Sequence, residues 1–217
     1  MINFRFALLI PSLSASSTLY AQEQESEFDL QSDDTNLIVY LTRTNNTKAV
    51  ASMIHEAVGG ELIELALETP YPENYDAIVA QVDEENETGY LPPIETIIDN
   101  IAQYDTIFIG FPTWDMTLPP PMKSFLTDHD FSGKTVIPFN TNGGYGLGST
   151  LEVVEELCAD CQILEAFETR GGLERDGILL AIENERQEEV EADVVAWLKN
   201  IGFINSSSSS CCMIPAT

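Results

Sequence analysis

The chain has 217 residues, 44% of them hydrophobic, which is ordinary for a globular core. One domain is the default at this length and two small ones are possible. The 36 acidic against 9 basic side chains give a formal charge of -27. Such a surface repels nucleic acid and anionic lipid, and suits a basic partner, a salty milieu or solubility alone.

Residues 1–21 carry one Arg, the apolar stretch FALLI and the ending Leu19-Tyr20-Ala21, the pattern of a signal peptide cleaved after Ala21. Pro11 interrupts a short apolar core, so no membrane span is expected. No Cys follows for lipid attachment and no Arg pair marks a twin-arginine route. Export to the periplasm or outside is the expectation; a disordered leader on a cytoplasmic protein is the alternative. Residues 22–35 read as an acidic linker.

From residue 36 the pattern alternates. NLIVYL (36–41) is an apolar run of strand length, and residues 46–58 repeat apolar side chains at helical spacing. ELIELAL (61–67) is a second strand. Residues 75–88 begin amphipathic and end polar. TIFIGF (106–111) is a third strand, PMKSFLTD (121–128) a short helix and KTVIPFN (134–140) a fourth strand. STLEVVEELC (149–158) is helical, QILEAFET (162–169) a fifth strand, and residues 184–201 a closing amphipathic helix. After residue 202 a Ser run without periodicity, 203–217, reads as a disordered tail.

Strands alternating with helices imply parallel pairing through right-handed crossovers. Apolar runs such as LIVYL and TIFIGF suit parallel strands buried on both faces. The expected architecture is α/β: a doubly wound five-stranded parallel sheet with helices on both faces, over residues 36–202. Ligands of such sheets lie outside the carboxyl ends of the strands.

Three carboxyl-end loops therefore matter. Thr42-Arg43-Thr44-Asn45-Asn46-Thr47 precedes a helix, whose first N–H groups are unpaired and favour anions. Asn45 and Asn46 tolerate a left-handed backbone. The loop reads as a phosphate cradle, or as a helix cap without a ligand. No Walker lysine occurs, and no Gly lies in this loop, which disfavours a classical dinucleotide site. In the second loop, Pro112-Thr113-Trp114-Asp115, the indole offers a face for a flat ring or folds over the core rim. The third, Asn140-Thr141-Asn142-Gly143-Gly144-Tyr145-Gly146, lets main-chain N–H groups approach a ring closely, or is an ordinary flexible turn.

Cys158 and Cys161 form CADC after a helix rather than before one, unlike a thioredoxin-type pair. A structural or incidental pair is expected, with a local disulfide plausible on export. His55 and His129 are expected to be structural or solvated. No nucleophile triad or metal cluster stands out, so no catalytic or metal-ligating residue is assigned.

The three loops together resemble the flavodoxin family. TRTNNT is similar to its FMN phosphate loop, T/S-x-T-G-N-T; GFPTWDMTLPPPMKSFL to the loop covering the flavin; FSGKTVIPFNTNGGYGLG to the strand and loop on the other side. The resemblance implies FMN as cofactor. It puts Thr42, Thr44, Asn45, Asn46 and Thr47 on the phosphate and Trp114 on the isoalloxazine. It puts Pro112 and Thr113 in the shaping of that loop, and Asn140, Thr141, Gly143, Gly144, Tyr145 and Gly146 along the ring. Asn45 stands where the family has Gly, and Asp115 where many relatives have a second aromatic, a face Tyr145 could supply. Residues 169–183 are longer than a tight connection needs, and Arg170 and Arg175 there could meet an anionic substrate or pair with neighbouring acids. The implied function is an electron-transfer protein serving a redox partner protein or a small-molecule acceptor. The alternatives are an FMN-dependent NAD(P)H:quinone-type oxidoreductase and a fold that has lost its flavin.

Overall fold

The computed structural model describes residues 35–205. The expected signal peptide, nearly all of the linker and most of the Ser-rich tail lie outside the described residues. Strands β1 (Asn36–Tyr40), β2 (Glu61–Glu64), β3 (Thr106–Pro112), β4 (Thr135–Asn142) and β5 (Gln162–Ile163) form a parallel sheet in the order β2-β1-β3-β4-β5. A further strand, β6 (Phe167–Arg170), continues beside β4. The helices are α1 (Asn46–Val58), α2 (Tyr75–Thr88), α3 (Pro120–Asp128), α4 (Thr150–Leu157) and α5 (Asn184–Asn200). This is the doubly wound α/β architecture read from the sequence.

Two apolar layers sandwich the sheet. On one face Ile38, Phe108, Ile137 and Phe139 pack against Val50 and Ile54 of α1 and Val190, Val194 and Leu198 of α5. On the other, Leu37, Ile107, Ile109 and Val136 pack against Met122, Phe125 and Leu126 of α3 and Val154 of α4. Adjacent residues of one strand serve opposite layers, so β1 and β3 are apolar throughout rather than alternating.

Several boundaries differ from the expectation. The second strand stops at Glu64; beyond it the chain pairs with residues 93–96, where Leu67 bridges Ile94 and Glu95 N–H donates to Ala66 O (2.8 Å). The fifth strand divides into β5 and β6. The fourth runs two residues beyond Asn140, because Thr141 and Asn142 register against Thr169 and Arg170 of β6. Asn140, Thr141 and Asn142 are thus strand residues, not loop. At the C-terminal side, Phe203 lies edge-on to Phe108 (5.1 Å between centroids), and Ile204 also packs on the core, although the disordered tail was expected from 203.

Cys158 and Cys161 are disulfide-bonded at the turn from α4 to β5. Among the described residues no helix is long and apolar enough to cross a membrane.

Candidate functional site

The carboxyl ends of β1, β3 and β4 open on one cavity of about 300 Å³. Its floor is the start of α1, its sides are the loops after β3 and β4, and its far wall is the chain following β6.

At the floor, Asn45 stands at the cap position of α1 with φ 65, the left-handed conformation the sequence requires there, and its side chain caps no helix N–H. The first helical acceptor is Asn45 O, bonded by Ala49 N–H at 3.0 Å. The main-chain N–H groups of Asn46, Thr47 and Lys48 precede that bond, and the helix dipole adds partial positive charge where they lie. Thr42 Oγ1 is buried with no partner. Uncapped helix donors at the cavity floor fit an oxyanion, which would complete them.

Two side chains of this loop are committed elsewhere. Arg43 makes a two-pronged ion pair with Glu174 (2.7 Å from both Nε and Nη2), and donates to Pro72 O (2.9 Å) and Glu73 O (2.8 Å). Asn46 donates to Thr44 Oγ1 (2.9 Å) and Leu179 O (2.6 Å), and accepts from Ala181 N–H (2.9 Å) and Ile182 N–H (3.2 Å). Thr47 Oγ1 meets Thr141 Oγ1 at 2.9 Å in a buried contact that ties the loop to β4.

The loop after β3 is a tight reversal. Trp114 and Thr117 exchange main-chain bonds (3.3 and 2.9 Å), and the two residues between them, Asp115 (φ 46) and Met116 (φ 55), are both left-handed. This is the twist of a two-residue hairpin turn, built without glycine. Trp114 lines the cavity and also packs on the α3/α4 layer, so it serves the site and the core rim together. Tyr71 meets the indole edge-on at 5.4 Å, and its hydroxyl donates to buried Glu85, which also accepts from Gln81.

The loop after β4 is shaped by amides. Asn142 Oδ1 accepts from Gly144 N–H (2.8 Å) and Gly146 N–H (3.3 Å), and its Nδ2 donates to Asn140 Oδ1 and Glu168. Asn140 is fully buried, donating to Phe111 O (3.0 Å) and Thr113 Oγ1 (3.0 Å). Tyr145 is 59% exposed at the rim, where its hydroxyl accepts from Arg175 Nη2 (3.0 Å).

Of the sequence-derived residues, Arg43, Thr44, Asn46, Thr47, Pro112, Thr113, Trp114, Asp115, Thr141, Asn142, Gly143, Tyr145 and Gly146 line the cavity; Thr42, Asn45, Asn140 and Gly144 do not. Sequence reasoning did not assign Tyr75, Met116 or the wall from Gly171 to Glu174 to the site. Arg175 pairs with Asp176 (3.1 Å) and lies over the Tyr145 ring (6.0 Å to its centroid). His55 lies in α1; His129 follows α3, its Nδ1 2.9 Å from Phe125 O, and neither lines the cavity.

An uncapped helix start and an aromatic ledge at the carboxyl edge of a parallel sheet define a doubly wound domain with a cavity at the edge where such sheets take ligands. The flavodoxin family model matches residues 35–184, and the chain belongs to that family. Two solved structures, each termed a "putative flavoprotein", share the fold. The one from Bacteroides eggerthii DSM 20697 is 27% identical with a TM-score of 0.63, covering 77% of this chain and 98% of its own. The one from Bacteroides uniformis ATCC 8492 is 24% identical with a TM-score of 0.62, covering 76% and 97%. A flavoprotein from Lactobacillus acidophilus NCFM, solved in complex with FMN, is 20% identical with a TM-score of 0.55, covering 62% and 92%. No curated protein matches the chain at a significant level.

Proposed function

We propose that this chain is an FMN-binding electron-transfer protein. The observation that carries the reading is the start of α1 at the cavity floor, where left-handed Asn45 caps none of the first helix N–H groups. Membership of the flavodoxin family supports FMN as the cofactor. Main-chain donors of Asn46, Thr47 and Lys48, with the hydroxyl of Thr44 that lines the cavity, would hold the phosphate. Trp114 and Tyr145, which both line the cavity, would border the ring.

FMN supplies one- or two-electron chemistry when bound, and the protein's part is position, exclusion of water and electrostatics. Asn46 and Arg43 hold the wall formed by residues 171–182 rather than the ligand. Tyr71 fixes the indole from behind.

The acidic surface supports a basic redox partner protein, since complementary charge speeds encounter. A small-molecule acceptor is the other partner considered. We further propose export to the periplasm or outside, on the leader pattern of residues 1–21.

The test is to purify the chain, add FMN, record the visible spectrum, and then add NADPH with a quinone. A yellow protein that leaves NADPH untouched is the expected result. A yellow protein that consumes NADPH makes it the quinone-type reductase. Absent flavin bands and unquenched FMN fluorescence overturn the cofactor assignment.

A further inference from the structure

Beside the first cavity lies a second hollow of about 380 Å³, between α2 and the loop after β3. The two share Arg43, Tyr75, Thr113, Trp114, Asp115 and Glu174, so the second is a side lobe that opens off the first. The second hollow's own wall is one face of α2, formed by Ile78, Val79, Val82 and Asp83. Ile78 and Val82 are each only 4% exposed, yet belong to neither of the two core layers. Ile78 and Val82 are thus largely covered by protein, and Val79, 39% exposed, is the apolar side chain of α2 most open to the hollow.

The charges around it are unbalanced. Asp83, Asp115 and Glu174 face a single guanidinium, Arg43, whose donors are taken by Glu174 and by the carbonyls of Pro72 and Glu73. Asp115 accepts from the neutral amide of Asn86 (3.1 Å); the nearby Lys123 ammonium reaches Asn86 Oδ1 (2.8 Å) instead. Neither Asp83 nor Asp115 forms an ion pair among the described residues.

We propose that this hollow is a second ligand site, for a planar aromatic cation. Aliphatic walls favour burial of a flat ring. The indole face attracts positive charge. Asp83 and Asp115 supply the countercharge and reject an anion of the same shape. The site shares Trp114 and Asp115 with the first cavity, while Val79 and Asp83 belong to it alone.

The probe is N-methylacridinium, titrated calorimetrically into the full chain at physiological salt. Neutral acridine at alkaline pH and anthracene carboxylate serve as the uncharged and anionic shapes. One saturable equivalent of the cation is expected, with acridine weaker and the anion silent. Asp83→Asn should weaken the cation roughly fivefold, the size of one solvated charge contact. Val79→Trp, at a position 39% exposed and thus tolerant of bulk, should abolish binding by filling the hollow. Glu191→Gln on α5, across the sheet, removes the same net charge and should change nothing; an equal loss there would mean diffuse attraction and overturn the site. Unchanged binding in Asp83→Asn and Val79→Trp would overturn it too. The titrations are run without FMN, because Trp114 and Asp115 line both cavities. A chain that takes the cation but not FMN refutes the cofactor reading alone.

Discussion

The amide of Asn46 has no hydrogen-bonding capacity to spare: both Nδ2 protons and both Oδ1 lone pairs are engaged, at 3% exposure. Its work is to fasten residues 179–182 to the start of α1. Asn46→Ala leaves two main-chain N–H groups and a carbonyl without partners, and is expected to cost about 3 kcal/mol. Urea denaturation measures that loss, and hydrogen exchange should quicken first at the amides of Ala181 and Ile182. Met116 presents the opposite case. Its left-handed φ of 55 is strained for a long side chain, and it is 48% exposed, so little packing opposes its removal. Met116→Gly should stabilise the fold by about 1 kcal/mol, because the relieved strain outweighs the added freedom of the unfolded chain. A lower urea midpoint than that of the parent chain would refute this.

Edge strand β2 has its two acids held by phenols, one on β1 and one just before β3. Tyr40 donates to Glu64 at 2.9 Å, and Tyr104 donates to Glu61. Burial first, then the hydrogen bond to the carboxylate, pushes both phenols above the ordinary value of 10.0; Tyr71 is pushed up in the same way, by burial and Glu85. A raised folded value means the folded state keeps protons that the unfolded chain releases. The stabilisation is complete below pH 10 and falls as pH rises above it. In an alkaline titration, part of the phenolate absorbance should therefore appear only with unfolding, and Tyr71→Phe should remove its share. Element order was legible because period and length separate five-residue apolar runs from longer amphipathic ones. The loops after β1, β3 and β4 were legible because parallel sheets place ligands at that edge. The wall from Gly171 to Glu174 was not, since no local period marks it. Its position follows from long-range contacts, such as Gly172 packing so closely that an added Cβ would lie 2.0 Å from Leu179 O. Nor did local sequence reveal that Arg43 and Asn46 would be claimed by that wall, because their partners lie more than 130 residues away.

At the scale of the whole molecule, charge decides. The chain carries a formal charge of -27, the proposed phosphate donors are neutral main-chain groups and hydroxyls, and of the two guanidiniums lining the cavity Arg43 is paired with Glu174 and Arg175 with Asp176. Adding electrons to bound FMN adds negative charge or draws in protons. Either is opposed or redirected by the surrounding field, so the oxidised form should be held more tightly than the reduced one. Tighter holding of the oxidised form lowers the potential. A shift of about 30 mV in a two-electron couple corresponds to about 1.4 kcal/mol, a modest sum for so many carboxylates. Mobile ions screen exposed charges over about 10 Å at 0.1 M, so the field should weaken as salt rises. Redox titration of the FMN-loaded chain should place its potential below that of free FMN at low salt, rising toward it as salt is added. Glu174→Gln should raise it further by releasing Arg43 beside the cavity. A potential above that of free FMN, or one indifferent to salt, would mean that local hydrogen bonds and not the acidic surface set it.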